Sequence, residues 1–228
     1  MEQLDFKHRF IPSPSLQQHF TKGSKHKEQK TNGDNSETLT LLLLHGTGGN
    51  EDDLIPIGQM LKSSASLLSP RGKVLENGMP RFFKRLAEGV FDIKDLKIRT
   101  KELADFVKCA SKVYGFNLNK TIAVGFSNGA NIAVSLLLSN SETIKGAILL
   151  RAMVPFVPDK IPDLSDKKVL LSAGMFDPIV SKSQTEALLK IFQKSRVDVT
   201  LKWQQSGHNL TEADIIDSKE WLSKNITH

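Results

Sequence analysis

Val124-Gly125-Phe126-Ser127-Asn128-Gly129-Ala130 places a serine between two glycines where a β-type run, Thr121–Val124, gives way to a helix-type run, Asn128–Leu138. A strand that turns directly into a helix strains the residue at the corner and crowds its neighbours. Glycine is therefore wanted on both sides, while the corner side chain projects into the open. Read this way, Ser127 is a candidate nucleophile.

Upstream of this corner, Thr38–Leu44 is a continuous apolar run, as in a central strand covered on both faces. It ends at His45-Gly46-Thr47-Gly48-Gly49. Asn50 offers a helix N-cap, Asp52 and Asp53 suit the positive helix start, and Leu54, Ile57, Met60 and Leu61 recur at helical spacing. Ala65–Ser69 reads as a short strand. Near the start, Phe6, His8 and Phe10 alternate with charged residues, the pattern of a two-faced edge strand over 6–11. Residues 13–37 are polar, with Leu16 and Phe20 the only large apolar side chains, and read as a mobile loop between strands. Gly72, Gly78, Pro80 and Gly89 break up 70–95, leaving room for a helical turn or two at 81–88. Lys97–Tyr114 is a helix with one apolar stripe.

Downstream, the segments alternate: strand Gly146–Leu150, strand Val169–Ala173, helix Lys182–Lys194, strand Val197–Trp203, helix Glu212–Lys224. Strands separated by helical crossovers predict an α/β fold with a mostly parallel sheet and helices on both faces. One domain spanning residues 1–228 is the expectation at this length.

The chain has 228 residues and a net charge of +6, which raises the question of an anionic partner. The basic stretch 22–30 holds no Phe, Tyr or Trp and 71–85 holds only the pair Phe82-Phe83, not the repeated interleaving of single-strand binders, so no nucleic-acid partner is expected. The first residues carry charges throughout and the longest apolar run is too short to span a bilayer, which predicts a soluble, cytoplasmic protein without stable membrane insertion. Cys109 is the single cysteine and reads as a small structural residue.

A serine hydroxyl needs a base to take its proton and a third group to orient that base. In open parallel sheets these partners belong on loops after later strands. Asp177 follows strand Val169–Ala173, and His208 follows Val197–Trp203. The order Ser127, Asp177, His208 is that of the α/β hydrolases. The backbone N–H groups of Asn128 and of Thr47, in the glycine-rich turn, are the candidate oxyanion donors. His45 reads as a brace for that turn. No pair of histidines, or histidine with cysteine, falls at metal-ligand spacing, so no metal site is expected.

His45-Gly46-Thr47-Gly48-Gly49-Asn50-Glu51, Gly125-Phe126-Ser127-Asn128-Gly129, Gly174-Met175-Phe176-Asp177-Pro178 and Gly207-His208 together resemble the phospholipase/carboxylesterase family of α/β hydrolases, which includes the acyl-protein thioesterases. The His-Gly-Thr-Gly-Gly loop resembles its bacterial carboxylesterase, MhqD-like branch. The resemblance implies a cofactor-free serine esterase acting on small to medium carboxylic esters, with Ser127 as nucleophile, His208 as base, Asp177 as orienting carboxylate, and Thr47 and Asn128 amides as oxyanion hole. It also implies that Met79, Phe82 and Phe83 line the pocket, to which Arg71 and Arg81 are added as flanking cations, and leaves a homodimer open. Arg71, Lys73 and Arg81 raise the further expectation of substrates with an acidic group. Two alternatives stay open: a lysophospholipase or acyl-thioesterase at a membrane surface, and a non-catalytic ligand-binding homologue.

Overall fold

The structure, a computed structural model, describes residues 4–14 and 38–226. Most of the expected loop at 13–37, including its basic stretch, lies outside the described residues. The strands are β1 His8–Ile11, β2 Thr40–Leu44, β3 Ser66–Pro70, β4 Val74–Glu76, β5 Met79–Arg81, β6 Arg85–Ala87, β7 Val90–Phe91, β8 Thr121–Phe126, β9 Gly146–Leu150, β10 Lys168–Gly174 and β11 Asp198–Gln204. The helices are α1 Ile55–Leu61, α2 Ile93–Tyr114, α3 Asn128–Ser139, α4 Lys182–Lys194 and α5 Glu212–Asn225, with 3-10 turns at Leu118–Lys120 and Ser141–Thr143.

Seven strands form one sheet in the order β1-β3-β2-β8-β9-β10-β11. Every pairing is parallel except β1 with β3, which places the two-faced strand antiparallel at the edge. The chain leaves β2 to build β3 on one side and later returns to build β8 on the other. The strand order therefore reverses between β2 and β8, where a parallel sheet opens a crevice at the carboxyl ends of its strands.

Successive side chains on a strand point to opposite faces, and β2 divides accordingly. Leu41 and Leu43 enter a core covered by α1 and α5, through Leu54, Leu61, Trp221 and Leu222. Leu42 and Leu44 enter the larger core beneath α2, α3 and α4. All four leucines are fully buried. This is why β2 reads as an unbroken apolar run: neither face meets water.

Several boundaries differ from the sequence reading. The helix after β2 begins at Ile55, not after Asn50, because Pro56 occupies its first turn and has no N–H to extend the ladder backwards. Asn50 instead accepts the N–H of Asp52 through its side chain at 2.7 Å. Helix α2 starts four residues earlier than expected because Asp92 caps it, accepting the Asp95 N–H. The expected helical turn at 81–88 is absent. Two small hairpins take its place, β4 with β5 and β6 with β7. The first turns at Asn77-Gly78, both with positive φ, the strongest short-range hairpin signal in the stretch.

Candidate active site

Ser127 stands at the corner between β8 and α3 with φ 51° and ψ −112°. Its backbone is held on both sides: its N–H donates to the Leu150 carbonyl at 2.9 Å, and its carbonyl accepts the Asn131 N–H at 3.0 Å. Both flanking glycines are dictated by close approach. A Cβ at Gly129 would lie 1.9 Å from the Leu44 carbonyl oxygen, and one at Gly125 would lie 2.6 Å from the Gly129 carbonyl oxygen. The start of α3 thus packs directly onto the end of β2, bringing the turn at Thr47 beside Ser127.

The imidazole of His208 bridges two partners. Its Nε2 lies 2.8 Å from Ser127 Oγ and its Nδ1 lies 2.8 Å from Asp177 Oδ2. With Asp177 ionised, Nδ1 carries the proton and Nε2 is left to accept the serine hydroxyl. The Asp177 side chain is fully buried, and its other oxygen accepts the Ile179 and Val180 N–H groups at 2.8 and 2.9 Å. Three donors on one carboxylate fix its orientation. Two other carboxylates between Ser127 and His208 lie elsewhere, Asp163 with Arg196 and Asp166 with Lys145 and Lys167.

Ser127, His208, Thr47 and Asn128 share a cavity of about 350 Å³. The N–H groups in the first turn of a helix have no intrahelical partner, so the Asn128 amide stands at the positive end of α3, next to Ser127. The segment around β5 braces both candidate oxyanion residues: Arg81 donates to Thr47 Oγ1 at 2.6 Å, Gly48 N–H donates to the Pro80 carbonyl at 2.9 Å, and Phe82 N–H donates to Asn128 Oδ1 at 2.7 Å.

His45 holds the same turn from beneath, its Nδ1 2.6 Å from the Gly46 carbonyl and its Nε2 accepting the Gly72 N–H at 3.0 Å. The Gly72 bond needs the neutral ring, and burial pushes its pKa below the ordinary 6.5 despite the Gly46 carbonyl. An unfolded chain takes up that proton near 6.5 while the native state resists it. The stabilisation is therefore complete above pH 6.5 and is lost as pH falls toward the lowered value. His45→Gln removes this titration, so its Tm changes less than the wild type's between about pH 7 and about pH 5 in thermal unfolding.

Of the five residues expected to line the pocket, Arg81 does. Phe82 and Phe83 are core residues: Phe82 lies 4.7 Å from the His45 ring and Phe83 meets Phe91 edge-on at 5.0 Å. Met79 sits beside Gly48 and is 41% exposed. Arg71 turns away to pair with Glu51, and Lys73 pairs with Asp5. Phe91, Phe126, Met153 and Ile179 supply the apolar wall instead. The expectation of an acidic substrate loses its basis here. Arg81 and Arg85 line the cavity but share the carboxylate of Glu76, and Glu88 stands on the same wall.

The largest omission of the sequence reading is Arg151, which directly follows β9 with φ 60° and is 1% exposed. It pairs with Asp214 through two bonds of 2.9 and 2.8 Å, both side chains fully buried. It also donates to the Gly207 carbonyl at 3.0 Å, Ser206 Oγ at 2.9 Å and the Asn209 carbonyl at 2.9 Å. Arg151 therefore grips the loop on both sides of His208, while the preceding residue, Leu150, holds Ser127. Burial alone would raise the Asp214 carboxyl, but bonds from Arg151, Ser172 and Thr211 hold it below its ordinary value. Two signals were available: a cation at the carboxyl end of an apolar strand, and the Thr211-x-x-Asp214 capping pattern, which the structure shows as a capping box.

A model of the phospholipase/carboxylesterases matches residues 26–226. The chain belongs to that family. It is 48% identical over 202 residues to the hydrolase MhqD of Bacillus subtilis, covering 89% of this chain and 99% of MhqD. The crystal structure of the Bacillus cereus carboxylesterase superposes with a TM-score of 0.85 at 44% identity, covering 96% of this chain and 94% of that one. YahD, solved with malic acid, superposes with a TM-score of 0.82 at 28% identity, covering 96% of this chain and 98% of its own. Family members are hydrolases on an α/β-hydrolase fold, which the sheet order and helix placement here match. Among the described residues, no group of three or more His, Cys, Asp or Glu side chains is placed to hold a metal ion, and no helix is long and apolar enough to cross a membrane.

Proposed function

We propose that this chain is a serine carboxylesterase that hydrolyses small to medium, uncharged carboxylic esters through an acyl-serine intermediate. The observation that carries the reading is the unbroken hydrogen-bonded relay from Ser127 Oγ through His208 to Asp177, at 2.8 Å on each side. His208 Nε2 takes the hydroxyl proton as Ser127 Oγ attacks the ester carbonyl carbon. The negative oxygen that forms is met by the N–H groups of Thr47 and Asn128. His208 then returns the proton to the departing alcohol. Water, deprotonated by the same ring, attacks the acyl-serine and releases the acid and the enzyme. Asp177 holds the imidazole in the tautomer that this sequence of steps requires.

Uncharged esters follow from the charge balance at the cavity, where Arg81 and Arg85 both pair with Glu76 and Glu88 stands on the same wall. Malic acid in YahD is a fact about that relative, and an ester with a free carboxylate finds no unmatched cation in this cavity. A fluorophosphonate probe reports the reading directly, because it phosphonylates only an activated serine. The expected result is one adduct per chain, located by mass spectrometry on the peptide containing Ser127. An unlabelled, folded wild-type protein refutes the enzyme reading in favour of a ligand-binding homologue.

A further inference from the structure

The two amides assigned to the oxyanion come from different parts of the chain, Thr47 from the turn after β2 and Asn128 from the start of α3. A donor pair of this kind acts only if its N–H groups keep a fixed spacing and direction. The turn has little side-chain mass to hold it: of Gly46, Thr47, Gly48 and Gly49, only Thr47 carries a side chain. Three consecutive residues, Pro80 to Phe82, supply the missing tie. The Pro80 carbonyl accepts the Gly48 N–H at 2.9 Å, Arg81 Nη1 donates to Thr47 Oγ1 at 2.6 Å, and the Phe82 N–H donates to Asn128 Oδ1 at 2.7 Å. One short segment therefore bonds to both halves of the site.

Arg81 is the residue of the three that bonds through its side chain, and its own position is fixed from several directions. It is 3% exposed, and its Nε donates to the Phe83 carbonyl at 3.2 Å and pairs with Glu76 at 3.3 Å. Glu76 also accepts Arg85 at 2.7 Å, which joins the hairpin of β4 and β5 to β6. The Gly72 backbone packs directly against Arg81, where a Cβ would collide with the Arg81 carbonyl, and the Gly72 N–H bonds to His45. A planar guanidinium can serve a hydroxyl, a carbonyl and a carboxylate at once, which a lysine ammonium on its flexible stem does not do in one fixed geometry. A buried cation destabilises the fold unless its bonds are made, and here one of those bonds goes to the residue whose amide the reaction uses.

We infer that Arg81 is a positioning residue for the oxyanion hole: by holding Thr47 Oγ1 it keeps the glycine-rich turn at the distance and angle from Asn128 that a tetrahedral oxyanion requires, with Glu76 holding the guanidinium in turn. This rests on the serine-esterase reading above and adds to its machinery a group that acts through Thr47. Losing an oxyanion donor outright lowers kcat by about a hundredfold to a thousandfold, so loosening one lowers it by roughly tenfold to a hundredfold. The loss falls on kcat, because the ground-state ester does not yet carry the negative oxygen.

The test measures kcat and KM on p-nitrophenyl acetate for wild type, Arg81→Met, Thr47→Val, the double variant, Thr47→Ser and Leu75→Ala, with thermal unfolding to verify the fold. Thr47→Val keeps the side-chain shape and the backbone N–H but removes the acceptor, so it decides the matter even where Arg81→Met does not fold. The expected result is a kcat about tenfold or more lower in each single variant, KM within about threefold of wild type, and a double variant within about twofold of the slower single. Thr47→Ser returns the hydroxyl and recovers about fivefold or more of the kcat lost in Thr47→Val. Leu75→Ala, at an exposed position on the same hairpin, keeps the wild-type kcat. Inhibition by an alkyl trifluoromethyl ketone, whose adduct on Ser127 places a negative oxygen between the two amides, weakens about tenfold or more in the slowed variants. Losses that multiply in the double variant, or that appear in KM while the ketone binds as tightly as before, overturn the inference and leave Arg81 a wall residue. So does a folded Thr47→Val with kcat within about threefold of wild type. A wild type with neither fluorophosphonate labelling nor ester turnover overturns the serine-esterase reading, and the role of Arg81 with it.

Discussion

Ser127→Ala is expected to lower kcat for ester hydrolysis by about 10⁵–10⁶-fold, the scale of removing the nucleophile from a serine relay. The fold survives the change. Alanine and serine carry similar penalties at the positive φ of this corner, and the hydroxyl's hydrogen-bonding partner, His208, is partly open to the cavity and can turn to water. Substrate binding relies on the cavity wall and not on the hydroxyl, so KM stays within a few-fold of the wild type while kcat collapses. Steady-state kinetics on p-nitrophenyl esters, with circular dichroism to verify folding, measures both quantities. A folded variant that keeps more than a tenth of the wild-type kcat removes Ser127 from the chemistry.

Asp214→Ala is the change with the largest expected effect on stability. It leaves the Arg151 guanidinium buried without its carboxylate, and breaking a buried pair in this way costs about 3–5 kcal/mol. Arg151→Met with Asp214→Leu removes both charges and recovers much of that loss, because a well-packed apolar pair avoids the desolvation cost altogether. Turnover separates from stability at this point. The double variant still lacks the donors that Arg151 gives to Gly207, Ser206 and Asn209, so the loop bearing His208 is no longer held against β9. A displacement of about 1 Å at a reacting group lowers the rate by roughly a hundredfold, and this is the deficit expected of the double variant in kcat. Urea unfolding and kcat on the same preparations test the pair. A double variant with wild-type kcat assigns Arg151 to stability alone, and one as unstable as Asp214→Ala refutes the desolvation argument.

Much of the fold was legible because its signals are local. The run Leu39–Leu44 is apolar at every position but Thr40, and only a strand buried on both faces needs that. Gly125 and Gly129 report contacts too close for a Cβ, which is why a short pattern located the corner at Ser127. The alternation of strands and helices after residue 121 limits the sheet to parallel crossovers. The stretch 70–92 is harder to read, because its glycines and Pro80 mark only the lack of a long periodic element, while Asn77-Gly78 is a hairpin turn. The pocket placement of Phe82 and Phe83 came from the family resemblance. Without the hairpins, nothing in the chain shows that these rings turn inward onto His45 and Phe91 while Arg81 faces the cavity.

By itself the sequence determined the order of elements, the serine corner, the glycine-rich turn at Thr47, and the succession Ser127, Asp177, His208 along the chain. Each of these is written within a few residues, by hydrophobic period, by steric demand for glycine, or by position after a strand. Only the tertiary structure decided which distant polar groups meet and what surrounds them. Arg151 reaches Asp214, 63 positions away, because β9 lies beside β10 and the start of α5 returns over their carboxyl ends. Pairings of this kind depend on strand order and on the distance between packed elements, and neither quantity is carried by any local run of side chains.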